Sequence, residues 1–142
     1  MTEVSSSLPT AHAAQRRSWL WAGWIASALP VLGMLFSGVV KLTGNLNVIE
    51  AFTGRFGYPQ QTLVPIGILE ITCVVLYSIP RTAVLGAILT TAYLGGAVAT
   101  HVRVQDPFFP PIVFGILVWV GLYLRDDRIR SLLPLRRNEL QG

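Results

Sequence analysis

Charge is scarce in this chain. Asp, Glu, Lys and Arg make up 13% of its 142 residues, against roughly 25% in an average soluble domain. Apolar residues make up 52%, and the mean hydropathy of +0.56 agrees. Such a chain is too poor in charge for an ordinary soluble domain. Cysteine is nearly absent. Cys73 stands alone, so an internal disulfide, a CxxC motif and a cysteine zinc site are all excluded. It lies inside an apolar run and reads as a buried, inert thiol. Histidine is limited to His12 and His101, and His12 falls in the N-terminal tail. A haem held by two histidines within a bundle is therefore not expected, and no metal set is evident.

What the chain has is four apolar runs. Trp19 to Val40 spans 22 residues without a charge, Thr82 to Thr100 spans 19, and Pro107 to Leu124 spans 18. Thr62 to Ile79 spans 18 and carries one charge, Glu70. A helix needs about 20 mostly apolar residues to cross a bilayer. The runs are continuous rather than alternating, so membrane strands do not fit. The expectation is an all-α fold, a four-helix transmembrane bundle.

The basic residues set an orientation. Arg16, Arg17, Arg81, Arg125, Arg128, Arg130, Arg136 and Arg137 fall on one face; Lys41, Arg55 and Arg103 fall on the other. The positive-inside rule places both termini in the cytoplasm of a cell inner membrane. The arginines flank apolar spans, so nucleic acid is not the expected partner of the net charge of +4; the lipid bilayer is. Arg16 and Arg17 also suggest a twin-arginine export signal. The following stretch is too long for one and offers no A-x-A site, so a retained span is expected. Residues 1–17 read as a disordered cytoplasmic tail, 18–133 as the membrane domain, and 134–142 as a basic cytoplasmic tail.

Between the first two spans, Leu46, Ile49, Phe52 and Phe56 recur at helical spacing. Val48 to Phe56 is predicted to form a short amphipathic helix at the membrane interface. Asn47 and Glu50 resemble a capping box, Gly57 suits the stop, and Pro59 prevents continuation. Small residues suggest where helices approach closely: Gly33, Ser37 and Gly38 in span one, Gly67 in span two, and Gly86, Gly95, Gly96 and Ala97 in span three. Pro30 removes a backbone bond and favours a kink, whereas Pro65 falls in a first turn, where proline is tolerated. VLG recurs at 31–33 and 84–86, and GIL at 67–69 and 115–117. Two related hairpins would produce this pattern, and so would chance in apolar sequence.

Glu70 is the most informative residue. An ionised side chain at a helix centre costs roughly 3 kcal/mol on insertion scales. Counting about 1.5 Å per residue from Leu63 places it roughly 10 Å inward from the outer surface. Lys41, His101 and Arg103 lie near span ends in the same membrane half. The carboxyl is expected within hydrogen-bonding range of Lys41 or His101, with Gly67 leaving space beside it. Two readings stay open. In one, the pairing ties spans together. In the other, Lys41, Glu70, His101 and Arg103 line a pocket for a small lipophile. A quinone head group suits it, because its carbonyls accept hydrogen bonds. Glu70 and His101 could also move protons.

The blocks SGVVKLTG (37–44), GYP (57–59), IGILE (66–70), IPRTAVLGA (79–87), YLGGAVATHVR (93–103) and LYLRD (122–126) occur in that order. Together they resemble the DoxX-like family of small bacterial membrane proteins over roughly residues 30–133. The resemblance implies a four-helix membrane bundle with Lys41, Glu70 and His101 at characteristic polar positions. It implies no particular reaction. The family's name derives from a subunit of a terminal quinol oxidase, also linked to thiosulfate:quinone oxidoreduction. The expected function is accordingly an accessory subunit that binds or supports a quinone-linked redox partner, with a homo-oligomer as another form of association. The alternatives are a lipophile-binding membrane enzyme using Glu70 and His101 as acid and base, or a small transporter. No haem, flavin or metal motif is evident, and no catalytic residue is assigned.

Overall fold

The computed structural model describes residues 8–132, and all regular structure among them is helical. Four long helices carry the fold: α1 (Leu8–Leu42), α3 (Leu63–Ser78), α4 (Ala83–Arg103) and α5 (Phe109–Arg125). Short α2 (Leu46–Glu50) and α6 (Asp127–Leu132) follow α1 and α5. Helix α1 packs on α3 and α5, and α4 packs on the same two, which closes a ring. Stretches Arg17–Leu42, Gln60–Ser78 and Ala83–Arg103 are long and apolar enough to cross a membrane, while α5 is apolar but shorter. The outside of the ring is as apolar as the inside. Ile25, Leu29, Leu32 and Phe36 form an exposed stripe along α1, and Ile68, Val75, Ile88 and Ile116 are exposed on the other helices. In water such faces would drive association; in lipid they cost nothing.

Glycines set the helix approaches. A Cβ on Gly86 would stand 2.1 Å from the Tyr77 backbone nitrogen, so the α3–α4 hairpin closes tightly at its turn. A Cβ on Gly38 would stand 2.7 Å from Ile71, and one on Gly121 2.3 Å from the Ser27 hydroxyl. Gly95 and Gly96 differ from the packing role expected of them: a Cβ on either would meet nothing within 4 Å.

Two sequence expectations are corrected. The tail expected to be disordered over 1–17 is helical from Leu8. Ala, Gln and Arg there are strong helix formers, and Pro9 falls in the first turn, where its missing N–H costs nothing. Residues 1–7 and the basic tail at 134–142 lie outside the described residues. The capping box expected at Asn47 and Glu50 is replaced by Asn45, whose side chain accepts from the Asn47 N–H at 3.0 Å. The short helix thus begins at Leu46 and continues through a π-helical turn, Ala51–Arg55. It ends as predicted at Gly57, with φ +68 and the Tyr58 N–H bonded to the Phe52 carbonyl at 3.1 Å. Helix α4 runs to Arg103, so His101 lies in its last turn.

A polar tie sits near the turn end of the ring. The Tyr77 hydroxyl, 1% exposed, donates to the Val118 carbonyl at 2.8 Å and accepts from Ser27 at 2.8 Å. Arg125 donates to the Tyr77 carbonyl at 2.8 Å, with its guanidinium 4.5 Å from the Tyr77 ring centre and 4.7 Å from that of Trp24. Removing such groups from water requires these partners, and together they join α1, α3 and α5 at this end.

Candidate functional site: a polar cluster in an apolar cavity

The opposite end of the ring, beside the long loop 43–62, holds the charged pair. Ser37 and Lys41 are four apart on α1 and therefore share a face. Glu70 lies on α3. The Lys41 ammonium donates to Glu70 Oε2 at 2.7 Å and to the Ser37 hydroxyl at 2.6 Å; Ser37 in turn donates to Glu70 Oε2 at 3.3 Å. The side chains of Lys41 and Glu70 are 15% and 4% exposed.

Close helix contact makes this triangle reachable. A Cβ on Gly67 would stand 3.1 Å from both the Gly38 carbonyl oxygen and Lys41 Cβ. The room that Gly67 leaves is thus taken by α1 itself, and not by open space beside Glu70 as the sequence suggested. That backbone approach delivers the lysine to the carboxylate.

The triangle forms part of the wall of a cavity of about 680 Å³. This falls within the roughly 300–1,000 Å³ range of small-molecule sites. Most of the lining is apolar: Gly33, Met34 and Phe114 come from α1 and α5, and Leu69 and Cys73 from α3. Tyr93 from α4 also lines it. Phe52, Phe56 and Tyr58 contribute an aromatic end wall. The rings of Phe52 and Tyr58 stack with centres 5.1 Å apart. Tyr58 is fixed to the Thr100 hydroxyl at 2.7 Å, and an Arg55–Asp106 ion pair holds the segment to the α4–α5 loop.

His101 lines the same cavity, packed against Phe56 with ring centres 5.3 Å apart. Its Nδ1 is 2.8 Å from the Ala97 carbonyl oxygen. A carbonyl only accepts, so Nδ1 carries the proton. Among the described residues no hydrogen bond joins His101 to Glu70. Arg103 is not brought to the cavity. It is exposed, donates to the Phe56 carbonyl, and sits 5.3 Å from the Tyr58 ring centre. Its place in the candidate set is corrected: it does not line the cavity but braces the end wall through Phe56 and Tyr58. Ser37, Phe52 and Phe56 were read from sequence only as packing or interfacial residues, and Tyr93 and Tyr58 were not assigned to the site at all. Ser37 carried a signal in its four-residue spacing from Lys41.

A family model for the DoxX-like family matches residues 25–121. The chain belongs to the DoxX-like family. The match spans α1 from Ile25, α3, α4 and most of α5, and so contains the whole polar cluster. With its apolar helices, this DoxX-like chain is a multi-pass membrane protein. No curated protein and no solved structure matches it.

Proposed function

We propose that this DoxX-like protein binds a lipophile with a carbonyl-bearing head, a quinone being the leading candidate, and supports a quinone-linked redox partner in the membrane. The observation carrying this reading is the Lys41–Ser37–Glu70 triangle on the wall of an otherwise apolar cavity. A lysine ammonium has three protons. Ser37 and Glu70 take two, which leaves one for a ligand carbonyl. Glu70 neutralises the lysine, so the pocket presents a directional donor without a net charge in a low-dielectric setting. The aromatic side chains of Phe52, Phe56 and Tyr58 suit a flat ring.

The proposed setting is an inner membrane crossed by four helices, α1, α3, α4 and α5, with both termini cytoplasmic and the cavity in the outer half. The biased placement of basic residues supports this orientation. In it, α2 and its π-helical turn lie at the outer interface. Helix α5 covers about 26 Å at 1.5 Å per residue, close to the hydrocarbon thickness.

The test is purification of the full chain in mild detergent, followed by lipid mass spectrometry. An isoprenoid quinone is expected with the native protein and lost in a folded Glu70→Gln variant. Equal quinone in both preparations, or a haem band in the pure protein, overturns the reading.

A further inference from the structure

The α3–α4 pair is closed at one end and open at the other. At the turn, Gly86 lies against the Tyr77 backbone. Toward the loop end, a Cβ on Gly96 would meet nothing within 4 Å, although Gly96 lines the cavity. Ala92, one turn earlier on α4, also lines the cavity and is also exposed. On α3, Leu69 lines the cavity while 51% exposed. These side chains belong to the interior and the outer surface at once. Gly95 is equally exposed and equally open, yet does not line the cavity.

The loop end of the cavity has an aromatic wall, and Pro110, at the start of α5, is a further exposed lining residue. Phe52, Phe56 and Tyr58 form that wall, and passage there would have to break two ties, Tyr58 to Thr100 and Arg55 to Asp106.

We propose that the gap between Leu69 on α3 and Ala92 and Gly96 on α4 is a lateral portal, through which the apolar tail of the cavity's ligand passes into the bilayer. The ligand class is then a tailed amphiphile, with its polar head at Lys41, Ser37 and Glu70 and an alkyl or isoprenoid chain leaving between the helices. This rests on the cavity being a ligand site. A tail in the portal exchanges one apolar surrounding for another, since lipid chains are as apolar as leucine. Chain passage therefore needs no desolvation, and entry from the bilayer avoids lifting the aromatic wall. The open space beside Gly96 leaves room for the chain.

The full chain in nanodiscs, with a phosphatidylcholine whose acyl chain ends in a diazirine, tests the portal directly. After illumination and digestion, labels are expected on the cavity-lining residues Met34, which is buried, and Tyr93, which is half-buried, as well as on outward-facing Ile88. Gly96→Trp, and independently Ala92→Phe, should abolish the Met34 and Tyr93 labels while leaving Ile88 labelled. Gly95→Trp should change neither. Labels confined to outward-facing residues in the native protein overturn the portal, as does unchanged interior labelling in both blocking variants. Adding a decyl-tailed benzoquinone separates the two proposals: it should displace the interior labels. Interior labels that resist displacement leave the portal standing and remove the quinone.

Discussion

Gly38 and Gly67 bring α1 and α3 into backbone contact: a Cβ on Gly67 would stand 3.1 Å from the Gly38 carbonyl oxygen. Lys41 Cβ is equally near that point, so the contact that packs the helices also fixes the start of the lysine stem. From there the ammonium reaches Glu70 at 2.7 Å. The buried ion pair depends on two residues that carry no side chain.

Gly67→Val should therefore damage packing and charge pairing together. Of the three atoms it meets, the Leu42 methyl can swing away, but the Gly38 carbonyl oxygen and Lys41 Cβ cannot. Overpacking of this kind costs about 1–3 kcal/mol. Gly95→Val, whose Cβ meets nothing within 4 Å, should stay within about 0.5 kcal/mol of the native protein. Unfolding by SDS in mixed micelles measures both, and equal stability of the two variants would refute the contact.

The Lys41–Glu70 pair predicts a coupled mutant cycle. Lys41→Met leaves a carboxylate that is 4% exposed without its cation, and such losses cost about 3–5 kcal/mol. Glu70→Leu leaves the ammonium partly buried. The double variant strands neither charge and should recover most of the stability. It should still bind no quinone, because the donor has gone. Additive losses in the same SDS titration would show that the two side chains do not depend on each other.

The long apolar helices were legible in the sequence because unbroken apolar runs need no tertiary information. Glu70 and Lys41 were legible because a carboxyl at membrane depth demands a partner, and topology placed few cations near it. The polar tie of Ser27, Tyr77 and Arg125 left no comparable trace. A serine, a tyrosine and an arginine near span ends are ordinary residues in a membrane protein, and their meeting depends on how α1, α3 and α5 are rotated. The cavity was hidden for the same reason. Gly96 reads like Gly95 in sequence, yet only Gly96 faces the interior. Arg103 misled because nearness to a span end says nothing of which way its stem runs. The helical start at Leu8 was obscured by polar composition, which resembles a tail even where alanine favours helix.

The proposed orientation predicts the outcome of reporter fusions. Alkaline phosphatase joined after Arg55, in the loop that carries α2 and its π-helical turn, should be exported and active. The same enzyme joined after Gly142 should remain cytoplasmic and inactive, whereas green fluorescent protein there should fluoresce. The reverse pattern would sink the model. Fusions are a cleaner test than removing arginines. Arg125 bonds the Tyr77 carbonyl and lies over two aromatic rings, so its loss would disturb packing as well as orientation. Arg128 has an exposed side chain paired with Asp126, so its loss should leave the bundle intact. A flipped Arg128→Ala fusion pattern would then report charge alone, because the positive-inside bias acts through residues close to the span ends.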